Sequence, residues 1–98
     1  MARKTLIHKS VVEQIEQSKM SYSSIKRITR AIDKIDSSSL DELLKSSKLF
    51  KLTDYEHGTF YLYRVDVRTR ILMRVQKGDY YIDRIITADD VRKIKEST

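Results

Sequence analysis

The amino-acid sequence predicts an α+β domain: an N-terminal strand, a helical hairpin, then a mostly antiparallel sheet of three or more strands with a short C-terminal helix. Three observations carry this expectation. Isoleucines recur at helical spacing in the segment SIKRITRAIDKI. Apolar residues fall on alternate positions between Tyr61 and Val75. A serine or threonine stands three residues ahead of an acid at Ser10–Glu13, Ser39–Glu42 and Thr87–Asp90. At 98 residues the chain is most simply one domain, residues 1–98. Such a length hides roughly 60–65% of the unfolded surface in a single core, so no covalent staple is required.

The elements follow in order. TLIH has strand character and is short. Ser10 with Glu13 makes a capping box in front of VVEQIEQSKM, where Val11, Val12 and Ile15 share a face. A break around SYSS separates this helix from the next. There Ile25, Ile28, Ile32 and Ile35 draw one narrow apolar stripe, and Lys26, Arg27, Arg30 and Lys34 fall off it. A serine cluster ends the second helix, and Ser39 with Glu42 caps a short turn around Leu40, Leu43 and Leu44. From Phe50 the pattern changes: FKLT reads as an edge strand and DYEHG as a loop closed by Gly58.

Then Tyr61, Tyr63, Val65, Val67, Ile71, Met73 and Val75 all take odd numbers, against Arg64, Asp66, Arg68, Arg70 and Arg74 on even ones. Period two is the signature of a strand with one buried face. The run is longer than a strand of the usual ~5–6 residues, so a turn lies inside it. A three-residue loop at Arg68-Thr69-Arg70 keeps Val67 and Ile71 on the inner face; a two-residue loop at Arg68-Thr69 does not. The direction of Arg70 depends on that register. QKGD supplies a glycine turn, YYIDRIIT a further strand, and DDVRKIKE a last short helix.

The net charge of +6 points to nucleic acid, a ribosome or an acidic protein as partner. The surplus lies in residues 1–40 and in residues 60–76, where Arg64, Arg68, Arg70 and Arg74 face a single acid, Asp66. Arginine suits planar, bidentate contact with phosphate. The chain has no cysteine, which fits a reducing compartment. No apolar run approaches the ~20 residues of a membrane helix. MARKTLIHKS is too poor in apolar residues for a secretory signal. A cytoplasmic protein without membrane contact is expected.

Other chemistries lack their residues. His8 and His57 stand far apart without a cysteine, so no zinc or iron spacing exists, and no metal or cofactor is expected. Gly58 and Gly78 cannot build a phosphate loop, and the serines sit where caps and linkers explain them. Arginine, lysine and tyrosine on a sheet can still serve one reaction. RNA carries its own nucleophile, the 2′-hydroxyl, and fixed guanidiniums can stabilise the charge that develops on phosphorus. Tyrosines can stack on unpaired bases, although Tyr61 and Tyr63 share the parity of Val65 and read as core. The arginines of the central hairpin are expected to converge on one open concavity away from the striped helices.

YRVDVRTRILMRV, Tyr63–Val75, resembles a signature of the RelE/ParE superfamily, the small toxins of bacterial toxin–antitoxin systems. In it an arginine-bearing strand, a tight turn, and an arginine followed by apolar residues succeed one another; Arg64, Arg70 and ILM take those places. FKLTDYEHGTFYLYRV looks like the family's entry into its central strands, and the order of elements agrees along nearly the whole chain. The resemblance implies a ribosome-dependent mRNA endonuclease held inactive by an acidic antitoxin. It makes Arg64 and Arg70 the phosphate-contacting, catalytic pair. Arg68 and Arg74 lie near them by the same alternation, and Lys51, Arg84 and, from the basic outer face of the second helix, Lys26 and Arg30 are further candidate nucleic-acid contacts. Nuclease members often end the last long strand with a His or Arg followed by a catalytic Tyr. Thr87, Ala88 and Asp89 stand there instead, and no tyrosine follows Tyr81. The alternatives are therefore a family member without RNA chemistry, such as one whose partner is DNA gyrase, or a basic RNA- or DNA-binding module.

Overall fold

The computed structural model describes residues 3–18, 20–55 and 58–87. They form β1 (Thr5–Ile7), α1 (Lys9–Gln17), α2 (Tyr22–Ser37), α3 (Leu40–Lys45), β2 (Leu49–Tyr55), β3 (Gly58–Arg64), β4 (Thr69–Gln76) and β5 (Asp79–Thr87). This is the expected α+β order. The C-terminal helix, its Thr87–Asp90 cap and His57 lie outside the described residues. β2 to β5 make an antiparallel meander, and β1 joins parallel beside β5, giving the order β1-β5-β4-β3-β2. Since β1 and β2 occupy opposite edges, the helices between them cross one face of the sheet. Among the described residues no helix is long and apolar enough to cross a membrane.

α1 begins one residue after β1, and that shortness decides its cap. The His8 N–H still bonds to Ile82 O at 2.9 Å, as a strand residue would. The residue that leaves the sheet must therefore also cap the helix. Its Nδ1 accepts the Ser10 N–H at 3.1 Å. The expected Ser10–Glu13 box does not form, and the Ser10 hydroxyl donates instead to the carbonyl of Asp83. One turn on, the Gln14 amide donates to Ile85 O at 2.9 Å and accepts the Ile85 N–H at 3.0 Å. β1 is too short to cover β5, so α1 satisfies the remaining edge with side chains.

α2 starts at Tyr22 because the Ser21 hydroxyl accepts the Ser24 N–H, slightly earlier than the SYSS break suggests. Of its isoleucine stripe, Ile28 and Ile35 are fully buried beside Ala31, and Ile32 packs partly against the core. Ser38 ends it, and the buried Tyr80 hydroxyl donates to Ser38 O at 3.0 Å. The Ser39–Glu42 box in front of α3 forms as expected, each side chain bonding the other's backbone N–H at 3.2 Å.

The odd-number rule holds within the strands: Tyr61, Tyr63, Ile71 and Met73 are buried with Tyr80, Ile82 and Ile85 in one core cluster. It fails at Val67, which is 74% exposed. The cause is the turn. Arg64 pairs with Arg70, and the Val65 N–H bonds to Thr69 O, so Asp66, Val67 and Arg68 form the tip, two residues earlier than expected. Asp66 Oδ1 accepts the N–H groups of Arg68 and Thr69, both at 2.9 Å. This side-chain closure substitutes for the absent glycine. The β4–β5 hairpin turns as QKGD suggests, with Lys77 and Gly78 at φ 52° and 83°, the left-handed pair of a type I′ turn.

Candidate nucleic-acid interface

The face of the sheet turned away from the buried side carries Phe60, Leu62 and Arg64 of β3 opposite Arg74, Leu72 and Arg70 of β4. Arg64 and Arg70 are thus directly opposed at the end of the sheet. Like charges directly opposite in such a cross-strand pair are destabilising. Arg70 eases this by turning back: its Nη1 donates to the carbonyls of Asp66 and Thr69, pinning the turn. Arg64 is exposed, and its side chain makes no hydrogen bond or ion pair among the described residues.

Arg74 is more firmly held. Its Nε donates to Asp83 Oδ2 at 3.2 Å, Nη1 donates to Gln76 Oε1, and the guanidinium lies 4.3 Å from the centre of the Tyr81 ring. Asp83 comes within reach because the β4–β5 register slips between Leu72 and Met73, leaving Asp83 as an extra residue in β5.

The concavity beside Arg64 lies against α2, not away from the helices. Arg27, Arg30, Ala31 and Lys34 of α2, Lys48 before β2, and Tyr63, Arg64 and Val65 line a cleft of about 280 Å³. Arg70 and Arg74 do not line it. The expected convergence of hairpin arginines therefore narrows to Arg64, joined by cations from elsewhere. Arg27 reaches Asp66 at 3.5 Å. Burial pushes the Asp66 carboxyl up, but the N–H groups of Arg68 and Thr69, the Thr69 hydroxyl and Arg27 outweigh it and hold the group below its usual range. Burial alone pushes the Tyr63 phenol up, keeping it neutral.

The other expected contacts are dispersed. Arg68 is exposed at the turn tip, and Lys26 is exposed on α2. Lys51 of β2 bonds Asp54 at 2.9 Å, which raises the ammonium's pKa and, with Thr59, lowers the carboxyl's. Arg84 is exposed beside α1, in a shallow cavity of about 340 Å³ shared with Ser10, Glu13, Gln14 and Gln17. Of the tyrosines, Tyr61, Tyr63 and Tyr80 are buried, and Tyr81 is engaged by Arg74. No group of three metal-ligating side chains occurs among the described residues.

Sequence reasoning missed Lys48 and Asp83. Lys48 reaches the cleft because Ser47 takes a left-handed φ of 64°, and Asp83 meets Arg74 through the bulge. SSK carries a weak turn signal for the first. No local pattern announces the second.

No protein-family model matches the chain, and no curated protein matches it either. A solved structure does: RelE in the archaeal RelE–RelB complex from Pyrococcus horikoshii OT3. The two superpose with a TM-score of 0.68 over 89% of this chain and 96% of that one, at 17% identity. The chain has a RelE-like fold.

Proposed function

We propose that this chain is the toxin of a toxin–antitoxin pair and cleaves mRNA on the ribosome, held in check by an acidic antitoxin. The observation that carries the reading is Arg64, a guanidinium without a partner among the described residues, set opposite a second arginine on a RelE-like sheet. A fold that tolerates repulsion there gains nothing for itself, and an anion relieves it. In the reaction the substrate's 2′-hydroxyl gives its proton to water as its oxygen bonds to phosphorus, and the bond from phosphorus to the 5′-oxygen breaks as that oxygen takes a proton from water, leaving a 2′,3′-cyclic phosphate and a 5′-hydroxyl. Arg64 stabilises the charge that builds on the phosphoryl oxygens, and the remaining donors of Arg70 assist from across the hairpin. No metal takes part.

The solved relative is a complex of RelE with RelB, which supports an antitoxin partner for the same fold here. A second reading, a toxin that binds gyrase and leaves RNA intact, gains from the internal bonding of Arg70 and Arg74. Purified chain added to mRNA-programmed ribosomes, in the presence of a chelator, tests the two. Cuts in mRNA within the ribosome support the endonuclease. Intact mRNA together with blocked supercoiling by gyrase establishes the alternative.

A further inference from the structure

β2 closes one side of the sheet, and among the described residues no strand pairs with its outer side. Its backbone groups divide by alternation. The Arg64 N–H bonds to Lys48 O at 2.8 Å, so Phe50 and, beyond the bulge, Thr53 turn their N–H and C=O towards β3. Those of Leu49, Lys51 and Asp54 point to the open edge. The Asp54 carbonyl accepts the Thr53 hydroxyl at 3.1 Å and keeps a second lone pair. The slip in register at Leu52 puts Lys51 and Asp54 on one face, where Nζ and Oδ2 meet at 2.9 Å. Both side chains remain more than half exposed, and the apolar Phe50 and Leu52 beside them are about half exposed.

We infer that this edge pairs antiparallel with the same edge of a second copy of the chain, about a two-fold axis through Thr53. A lysine and a bulge on an edge strand discourage pairing with arbitrary strands. The same features select a copy, because a two-fold makes residue i meet j and j meet i. Opposed residues in a sheet must also share a face, which leaves few registers. Centred on Lys51, lysine opposes lysine; centred on Asp54, aspartate opposes aspartate. Centred on Phe50, Lys51 faces the apolar Leu49. Only the axis through Thr53 sets Lys51 against Asp54 of the second copy and Asp54 against its Lys51. Since the two charges already meet within each strand, the pair of strands builds an alternating ring of charge. Lys51 and Asp54 also present the outward N–H and C=O groups, so their backbones extend the ladder. Leu52 stands beside the axis and covers its own copy. An acidic segment on this edge would satisfy Lys51 and set Asp54 against its like, which makes it the weaker occupant.

Sedimentation of the full chain between about 10 μM and about 1 mM tests this, in about 150 mM salt to screen the net charge. The parent should pass from monomer to dimer across that range, since a short edge makes a weak contact. Lys51→Glu and Asp54→Lys each set like charges opposite twice over and should weaken dimerisation by about tenfold or more. Mixed in equal amounts, the two variants bring opposite charges together at both positions and should dimerise with each other as the parent does with itself. That recovery also shows that neither substitution acts through unfolding. Amide exchange gives a second reading: protection at Lys51 and Asp54 should rise with concentration, while that at Phe50, already bonded to β3, stays constant. A parent chain monomeric throughout, reversals without effect on dimerisation, or a mixture no more dimeric than its components would overturn the inference. So would protection at Lys51 and Asp54 that appears only when polyglutamate is added to a monomeric chain, in favour of an acidic protein partner. Association is read without RNA, so the proposed endonuclease stands or falls separately.

Discussion

Among the strand arginines, internal bonding decides what each is free to do. Arg74 holds Asp83 and Tyr81, Arg70 holds the turn, and the Arg64 side chain has no partner among the described residues. Asp66 governs this division, since it closes the turn that fixes the register of Arg64 against Arg70. Its carboxyl lies below the ordinary value of 3.8 in the folded chain. A depressed carboxyl contributes stability that is complete above its unfolded value and is lost as pH falls through the folded one. Thermal melts of the parent chain and Asp66→Ala should therefore differ most above about pH 5 and converge towards about pH 3. A gap independent of pH would remove the carboxylate from the account. The alternation of arginine with apolar residues was legible in the sequence. Which arginine would remain free was not, because the partners are a backbone carbonyl in the turn and an acid brought across by a bulge.

The elements divide in the same way. The α2 stripe, the Ser39–Glu42 cap and the inward Tyr61, Tyr63, Ile71 and Met73 depend on neighbours within a few positions, and periodicity or capping chemistry exposes them. The α1 cap was misjudged because a distant contact overrode a plausible local motif, and the hairpin turn because the Asp66 side chain closes it locally, two positions before the tip that alternation suggests. Ser10 finds the Asp83 carbonyl across the sheet edge, so His8 caps α1 in its place. Gln14 is the strongest instance, a helix residue acting as a stand-in for a strand. Gln14→Ala leaves the Ile85 N–H and carbonyl without these partners, and unpaired backbone groups of this kind cost about 1–3 kcal/mol. Chemical denaturation should show a loss in that range together with faster amide exchange at Ile85. Unchanged exchange would mean that water or another group already serves that edge.

For the whole molecule, one sheet separates a helix-covered core from an outer face that carries arginine, and a cationic cleft opens beside α2 at the end of β3. The charge surplus of +6 raised the expectation of a nucleic acid, a ribosome or an acidic protein as partner. It did not foretell that free cations would gather from α2, the β2 approach and the end of β3, which are far apart in the chain and meet through topology alone. Arg64 stands where these features join. Its repulsion with Arg70 works against stability, and its exposure works for binding.

Primer extension on mRNA after induced expression of the parent chain and of Arg64→Gln tests this most directly. The account predicts that the variant loses cleavage by about 10²–10³-fold while melting no lower than the parent. Cleavage at parental strength by a folded Arg64→Gln would contradict it.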